Sequence, residues 1–437
     1  MKDDSRKVIK GDTYISLTNN PKYVEDAILN GASKVIVESG LYSVDTLIVD
    51  DARSYLSEYL DELYSEEFKK IKLIGVTGTN GKTTTCYLFW SILNKLGIKC
   101  AYIGTIGFYI EDKIKDLSNT TPDMLDLYNM IHEAINNGCE YLIMEVSSHA
   151  LSYGRLGKLK FEYAIFTNLT QDHLDYHKNM NNYCLEKQKL FYKTKNAIVN
   201  YDDEYMSHFI LDRNINTTYG FNGGDYKIEL DQLDNNGSIF SLNNNTFKTN
   251  LIGKYNIYNL VVSLILLEKE GIKYDKDILN NLDYPTGRME VVDYGNNKII
   301  IDYAHTPDAI KNIINTVWEL KPNRVITIVG AGGDRDISKR SIMGSTATSL
   351  SSYVIFTSDN PRTENPLDII DDIVQKLDVS NYEIIADRKK AIIKGIQMLG
   401  EFDILLVLGK GHENYQVIGH DKIPFSDIDI VKTNIKE

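Results

Sequence analysis

The chain has 437 residues, 43% of them hydrophobic, and carries a formal net charge of -13. One core rarely grows beyond about 250 to 300 residues, so two or three domains are expected, and the acidic balance argues against nucleic-acid partners and anionic membrane surfaces. Cys86, Cys100, Cys139 and Cys184 stand far apart with no Cys-x-x-Cys pair, which argues against zinc or a disulfide framework and fits a reducing cytoplasm.

No apolar run approaches the ~18 residues needed to span a bilayer, and the first residues lack a signal-peptide core. Up to about residue 70 the pattern is a small α/β unit, with a helix closing over 27–31 and strands at 34–38 and 46–49. Residues 71–76 form an apolar strand, and Cys86, Phe89, Trp90, Leu93 and Leu96 then repeat at helical spacing until Gly97. Strands at 141–146 and 164–167 each end in a polar loop, where open α/β sheets place ligands. Residues 219–251 read as a peripheral hairpin region. Pro285-Thr286-Gly287 punctuates the chain, and strands at 298–302, 325–329, 353–357 and 405–408 alternate with helical segments beyond it. The expected fold class is α/β in three domains. They are a small α/β unit over 1–70, a mostly parallel P-loop sheet domain over 71–285, and a Rossmann-like domain over 286–437.

Between the 71–76 strand and its helix lies Gly78-Thr79-Asn80-Gly81-Lys82-Thr83-Thr84. Backbone N–H groups at a helix start face a docked anion, glycine permits close approach, Lys82 can reach the β- and γ-phosphates, and Thr83 offers a hydroxyl to Mg²⁺. Two residues separate Gly78 from Gly81 where the general phosphate-loop pattern has four, so a plain turn is the competing reading. Glu145 ends an apolar strand and is placed either to hold Mg²⁺ or as a solvated acid. The loop from Asn168 to His177 carries His173 and His177 with Asp172 and Asp175, a set that suits either a divalent metal or turn hydrogen bonds. Lys187 shares a helix face with Tyr183, Leu190 and Phe191, so its ammonium must snorkel, pair or be chemically neutralised.

Gly-Thr-Asn-Gly-Lys-Thr-Thr, Glu145 before Ser-Ser-His, Asp172-His-Leu-Asp-Tyr-His177, Gly287-Arg-Met-Glu290, Asp302-Tyr-Ala-His305-Thr-Pro and Gly332-Gly-Asp-Arg335 occur in one order. That order resembles the Mur ligases, and within them the MurE branch, over nearly the whole chain. The resemblance implies an ATP- and Mg²⁺-dependent amide ligase of peptidoglycan synthesis, working through an acyl phosphate. It would join meso-diaminopimelate to UDP-N-acetylmuramoyl-L-alanyl-D-glutamate.

Carried over by resemblance, Lys82, Glu145, His173 and a carbamylated Lys187 are catalytic, with Thr83, Glu145, His173 and Lys187 on metal. ATP would contact Gly78, Thr79, Asn80, Gly81, Lys82, Thr83 and Thr84, with Asn256, Asn259, Arg288, Asp302 and His305. The nucleotide-sugar peptide would meet Ser5, Thr120, Thr121, Ser147 and Arg155. Arg335, Asp359, Asn360, Arg362, Gly409 and Glu413 would hold diaminopimelate, the Arg in Asp359-Asn-Pro-Arg362 resembling the diaminopimelate-adding form. The chain starts three residues before Asp4, runs from Leu17 through Thr-Asn-Asn-Pro to the first helix without the family's Gly-rich loop, and has Tyr at 153. The late start and the missing loop lead to the expectation of a shortened first domain, and Tyr153 stands where the MurE form has Gln, which bears on the uridine contacts. Alternatives are a paralogue using L-lysine or another carboxylate acceptor, or a catalytically silent nucleotide-binding paralogue. Expected partners are small molecules, with no nucleic acid or membrane, and a cytoplasmic monomer is expected.

Overall fold

The computed structural model describes residues 1–18, 20–234 and 237–435. Asn19, in the short connection between Leu17 and Pro21, lies outside the described residues. Strands Thr13–Ile15, Lys34–Val37 and Asp45–Ile48 form a small parallel sheet. The helix Pro21–Leu29 begins with proline in its first turn and with Asn20 accepting from the Lys22 N–H. The first strand and the charged helix Ala52–Phe68 were not evident from periodicity. That helix packs onto the helix Met124–Asn136, with the rings of Phe68 and Tyr128 5.4 Å apart.

The phosphate-loop strand Lys72–Thr77 lies between Phe161–Phe166 and Tyr141–Glu145, parallel to both. Thr194–Asn200 and Ile215–Gly220 extend the parallel run on one side and Cys100–Gly104 on the other. The apolar strands are buried on both faces, as parallel sheets require. Cys86, Phe89, Leu260 and Leu264, from the helices Lys82–Lys95 and Lys254–Lys269, cover one face. Leu127, Ile131, Tyr183 and Leu190 cover the other. The expected hairpin region is the antiparallel run Tyr226–Asp234, Gly237–Leu242, Asn245–Thr249 at one edge of this same sheet.

Beyond Pro285 a second sheet runs in the order Glu290–Tyr294, Asn297–Asp302, Ile404–Leu408, Val325–Val329, Tyr353–Phe356, Tyr382–Ile384. Its first strand is antiparallel and the rest parallel. Helices Pro307–Glu319, Arg340–Leu350 and Pro366–Val374 pack on one face, and Arg388–Gln397 and Asp427–Asn434 on the other. This is a doubly wound sheet. At the joint between the two large sheets, Ile252 is buried in the C-terminal core, with Tyr255 and Tyr284 packed against it. A Cβ on Gly253 would sit 2.5 Å from Thr316 Cγ2, so the two units touch closely there. Among the described residues no helix is long and apolar enough to cross a membrane.

Candidate active site

The strand Lys72–Thr77 delivers the Gly-rich loop directly into the helix Lys82–Lys95, for which Gly81, at φ 85°, is the cap. A Cβ on Gly78 would overlap the Thr167 hydroxyl, and one on Gly81 would stand 2.6 Å from Asn259 Oδ1. Both glycines are therefore demanded by close approach as well as by positive φ. Lys82 Nζ donates to the carbonyls of Gly78 and Thr79 at 2.9 Å each, and Lys187 Nζ donates to the same Gly78 carbonyl at 2.8 Å. Burial lowers the pKa of Lys82 despite the attraction of Glu145. Burial, and then the charge of Lys82, push Lys187 well below a normal lysine. Lys187 is fully buried 4.5 Å over the Tyr183 ring, so it does not snorkel.

Glu145 is buried and held by four donors. Tyr102 OH at 2.6 Å and the Thr105 N–H at 2.8 Å reach Oε1, while the hydroxyls of Thr83 at 3.0 Å and Thr105 at 3.1 Å reach Oε2. A carboxylate and a hydroxyl in contact at a helix N-terminus form a hard oxygen donor set suited to Mg²⁺. His173 adopts a left-handed conformation at the start of the short helix Leu174–His177. Its ring packs edge-on against His149 at 4.8 Å, and burial drives its pKa to about 3, which keeps a lone pair free at neutral pH. Among the described residues no three His, Cys, Asp or Glu side chains form a complete metal cage. Such a donor set fits a cation that completes its shell with substrate oxygens, as Mg²⁺ usually does.

The expected nucleotide residues divide. Asn259 Oδ1 accepts from the Thr85 hydroxyl at 3.1 Å, tying its helix to the phosphate-loop helix, whereas Asn256 Nδ2 bonds locally to the Ile252 carbonyl at 2.8 Å. Arg288 crosses from the C-terminal unit: its Nη2 donates to Thr83 Oγ1 at 3.3 Å and its guanidinium lies 4.6 Å over Tyr303. Asp302 accepts from the N–H groups of Met289 and Ala304, at 2.8 Å each, and so fixes the Arg288 turn against its own strand end. His305 Nε2 stands 3.9 Å from Asp172 Oδ2.

Near Glu145, the Thr121 hydroxyl donates to the Glu145 carbonyl at 2.9 Å and accepts from the Ser147 N–H at 3.0 Å. Arg155 donates to the Thr121 carbonyl at 2.8 Å, and the Thr120 hydroxyl meets Thr105 at 3.1 Å. These four converge on one rim. Ser5 belongs instead to the small N-terminal unit, where its carbonyl accepts from Asn30 Nδ2 at 2.9 Å.

Three polar contacts across the interface were not foreseen. Lys339 Nζ donates to Asp172 Oδ1 at 3.0 Å with both side chains buried, Asn80 Nδ2 to Asp308 at 3.0 Å, and Gln171 Nε2 to Ser338 at 3.1 Å. Burial opposes ionisation of Asp172, but the charge of Lys339, with His173 and His305, outweighs it and holds the carboxyl far below its usual range. Lysine with an acid far away in sequence carries no periodic signal, so nothing in the chain marked this pair.

The expected amine residues gather at the C-terminal ends of Val325–Val329, Tyr353–Phe356 and Ile404–Leu408, the ligand edge of a doubly wound sheet. Arg362 Nη1 donates to the Gly333 carbonyl at 2.6 Å, and burial together with the nearby Arg335 lowers its pKa. Two adjacent guanidiniums suit a carboxylate ligand. Asn360 Nδ2 donates to Glu413 Oε2 at 2.7 Å, and Gly409 is required because a Cβ there would stand 2.5 Å from Asp359 Oδ2. The same strand end carries Lys410, fully buried, which the motif contained without a role.

Residues 76–267 match the family described as Mur ligase middle domain, and 287–411 the one described as Mur ligase, glutamate ligase domain. The UDP-N-acetylmuramoyl-L-alanyl-D-glutamate--2,6-diaminopimelate ligase of Clostridium botulinum is 40% identical over 99% of this chain and 94% of its own length. A solved structure of a ligase of that name covers 100% of this chain and 94% of its own, at 34% identity and a TM-score of 0.68. The MurF ligase from Thermotoga maritima in complex with ADP shares the fold, with a TM-score of 0.69 at 16% identity over 99% of this chain and 97% of its own. The first matched segment carries the phosphate loop and Glu145 and the second the Arg288 turn and the paired arginines, and the chain belongs to the Mur ligase family.

Proposed function

We propose that this chain is an ATP-dependent amide ligase that adds meso-diaminopimelate to UDP-N-acetylmuramoyl-L-alanyl-D-glutamate in peptidoglycan synthesis. The observation that carries the reading is the pairing of Arg335 and Arg362 beside Asp359, Asn360 and Glu413, a site with both signs of charge. Diaminopimelate has a zwitterionic far end that uses both signs; lysine there would leave two guanidiniums without a carboxylate.

ATP seats its phosphates at the N-terminus of the helix Lys82–Lys95, where Lys82 and Arg288 offset charge on the transferring group. Thr83 and Glu145 would hold one Mg²⁺, and His173 with a carbamylated Lys187 a second; bound there, the cations neutralise phosphoryl charge. The depressed pKa of Lys187 supports carbamylation, since the neutral amine adds carbon dioxide and releases a proton. The substrate carboxylate, entering past Thr120, Thr121, Ser147 and Arg155, attacks the γ-phosphorus. The bond to ADP breaks and an acyl phosphate forms. The diaminopimelate amine then attacks the acyl carbon, phosphate leaves, and the amide nitrogen loses a proton.

The domains divide as 1–70 for the nucleotide-sugar end, 71–285 for ATP and 286–437 for the amino acid, and the enzyme works as a cytoplasmic monomer on small molecules. Phosphate release by the purified protein, measured with ATP alone and with both co-substrates, tests the reading. Release no faster with both than with ATP alone would overturn it. Single-turnover amide formation across a panel of amino acids tests the choice of amine.

A further inference from the structure

Lys410 has no exposed surface, yet its ammonium lies in the amine site and not in the core. It donates to Asn360 Oδ1 at 3.0 Å and to Glu413 Oε2 at 2.9 Å, and lies 3.8 Å from Asp359 Oδ1. Asn360 Oδ1 also accepts from the Val417 N–H at 2.9 Å. Two donors at one amide atom require that atom to be the oxygen, which turns Nδ2 toward Glu413 Oε2, 2.7 Å away. Glu413 Oε2 thus receives two donors while Oε1 is left as the acceptor for a ligand.

We propose that Lys410 is a positioning and specificity-determining residue for the incoming amino acid. It locks the Asn360 amide and the Glu413 carboxylate into one geometry and reduces the charge of the Asp359–Glu413 pair from two negatives to one. One net negative matches one ligand ammonium without repelling the ligand carboxylate bound by Arg335 and Arg362. With two negatives the site favours a ligand with an ammonium and no distal carboxylate. The inference rests on the diaminopimelate reading above.

The test compares wild type, Lys410→Met and Lys410→Gln by steady-state phosphate release with diaminopimelate, L-lysine, UDP-dipeptide and ATP each varied. Expected is a rise of about tenfold or more in the diaminopimelate KM, the effect of stripping one partner from a buried charged cluster. The KM values for ATP and UDP-dipeptide should hold within about twofold, and the preference for diaminopimelate over lysine should fall by a similar factor. Lys410→Gln keeps a polar contact to Asn360 while removing the charge, so if Lys410→Met does not fold the selectivity ratio is read from Lys410→Gln. An unchanged ratio in a folded variant, or all KM values rising together, overturns the inference. Wild type that forms amide with neither amino acid overturns the functional reading and this inference with it.

Discussion

Replacing Lys339 with Met strips the buried interface pair of its cation while leaving Asp172 in place. Both side chains are buried, at 8% and 6% exposure, and the contact joins the loop holding His173 to the short 3-10 helix Ile337–Lys339. Breaking a buried pair from one side costs about 3–5 kcal/mol, because the remaining charge is uncompensated. That penalty falls on the closed arrangement alone: with the units apart, Asp172 regains water. The low end of the range corresponds to a shift of about 100-fold between closed and open forms. The expected result is a fall in kcat/KM of about that size with little change in melting temperature, and small-angle scattering should report a more extended particle. Lys339→Met with Asp172→Asn should recover most of the loss, since no buried charge is then left over. Retention of activity within about twofold by the single variant, or a double variant no better than the single, refutes the reasoning. Because Asp172 in the closed form titrates far below the ordinary value of 3.8 that it regains when hydrated, the pair's contribution to closure is complete above that value and is lost only as the pH drops toward its depressed pKa.

Lys187→Met should reduce phosphate release to near background, and intact-protein mass spectrometry of the unsubstituted protein under bicarbonate should show one added carbon dioxide. An unmodified, fully active Lys187 counts against carbamylation. Arg362→Ala should weaken diaminopimelate by about tenfold or more and lysine far less, since a charge-assisted guanidinium–carboxylate pair is lost; equal losses in the amine panel contradict the assignment. Gly78→Ala should abolish ATP binding by calorimetry, because the new methyl overlaps the Thr167 hydroxyl at a positive φ. Burial above all lowers His177 to about 4, so the folded chain binds fewer protons than the unfolded one between about pH 4 and 6.5. Stability is therefore complete above pH 6.5 and declines as the pH falls through that window. His177→Gln should flatten the dependence of melting temperature on pH, and an unaltered slope speaks against His177 as its source.

The parts of the site that are local in sequence were legible. A strand, a glycine-spaced turn and an amphipathic helix carry their own periodicities, and an acid ending an apolar strand is visible as Glu145. The inward lysine was also legible, because Lys187 breaks a face otherwise made of Tyr183, Leu190 and Phe191. What could not be read depended on distant packing. Lys339 meets Asp172 across 167 residues, and Lys410 stands between two glycines, where no pattern says which way it faces. Edge strands such as Glu290–Tyr294 and Tyr382–Ile384 are partly exposed and short, so their alternation is weak. The helix Ala52–Phe68 escaped for a related reason: it buries only Ala52, Leu56, Ser57 and Leu60 among many acidic and polar residues.

The joint between the two large units is asymmetric. Ile252 is buried in the C-terminal core with Tyr255 and Tyr284 packed against it, whereas Lys339, Asn80 and Gln171 reach across through hydrogen bonds. Separating an apolar contact exposes it to water at a cost, whereas separated ions and amides are rehydrated. The molecule therefore has a greasy pivot that resists parting and a polar seam whose groups regain water when it parts. A ligase that must admit three substrates and release three products in each cycle gains from that division, since it can gape many times without the halves coming apart.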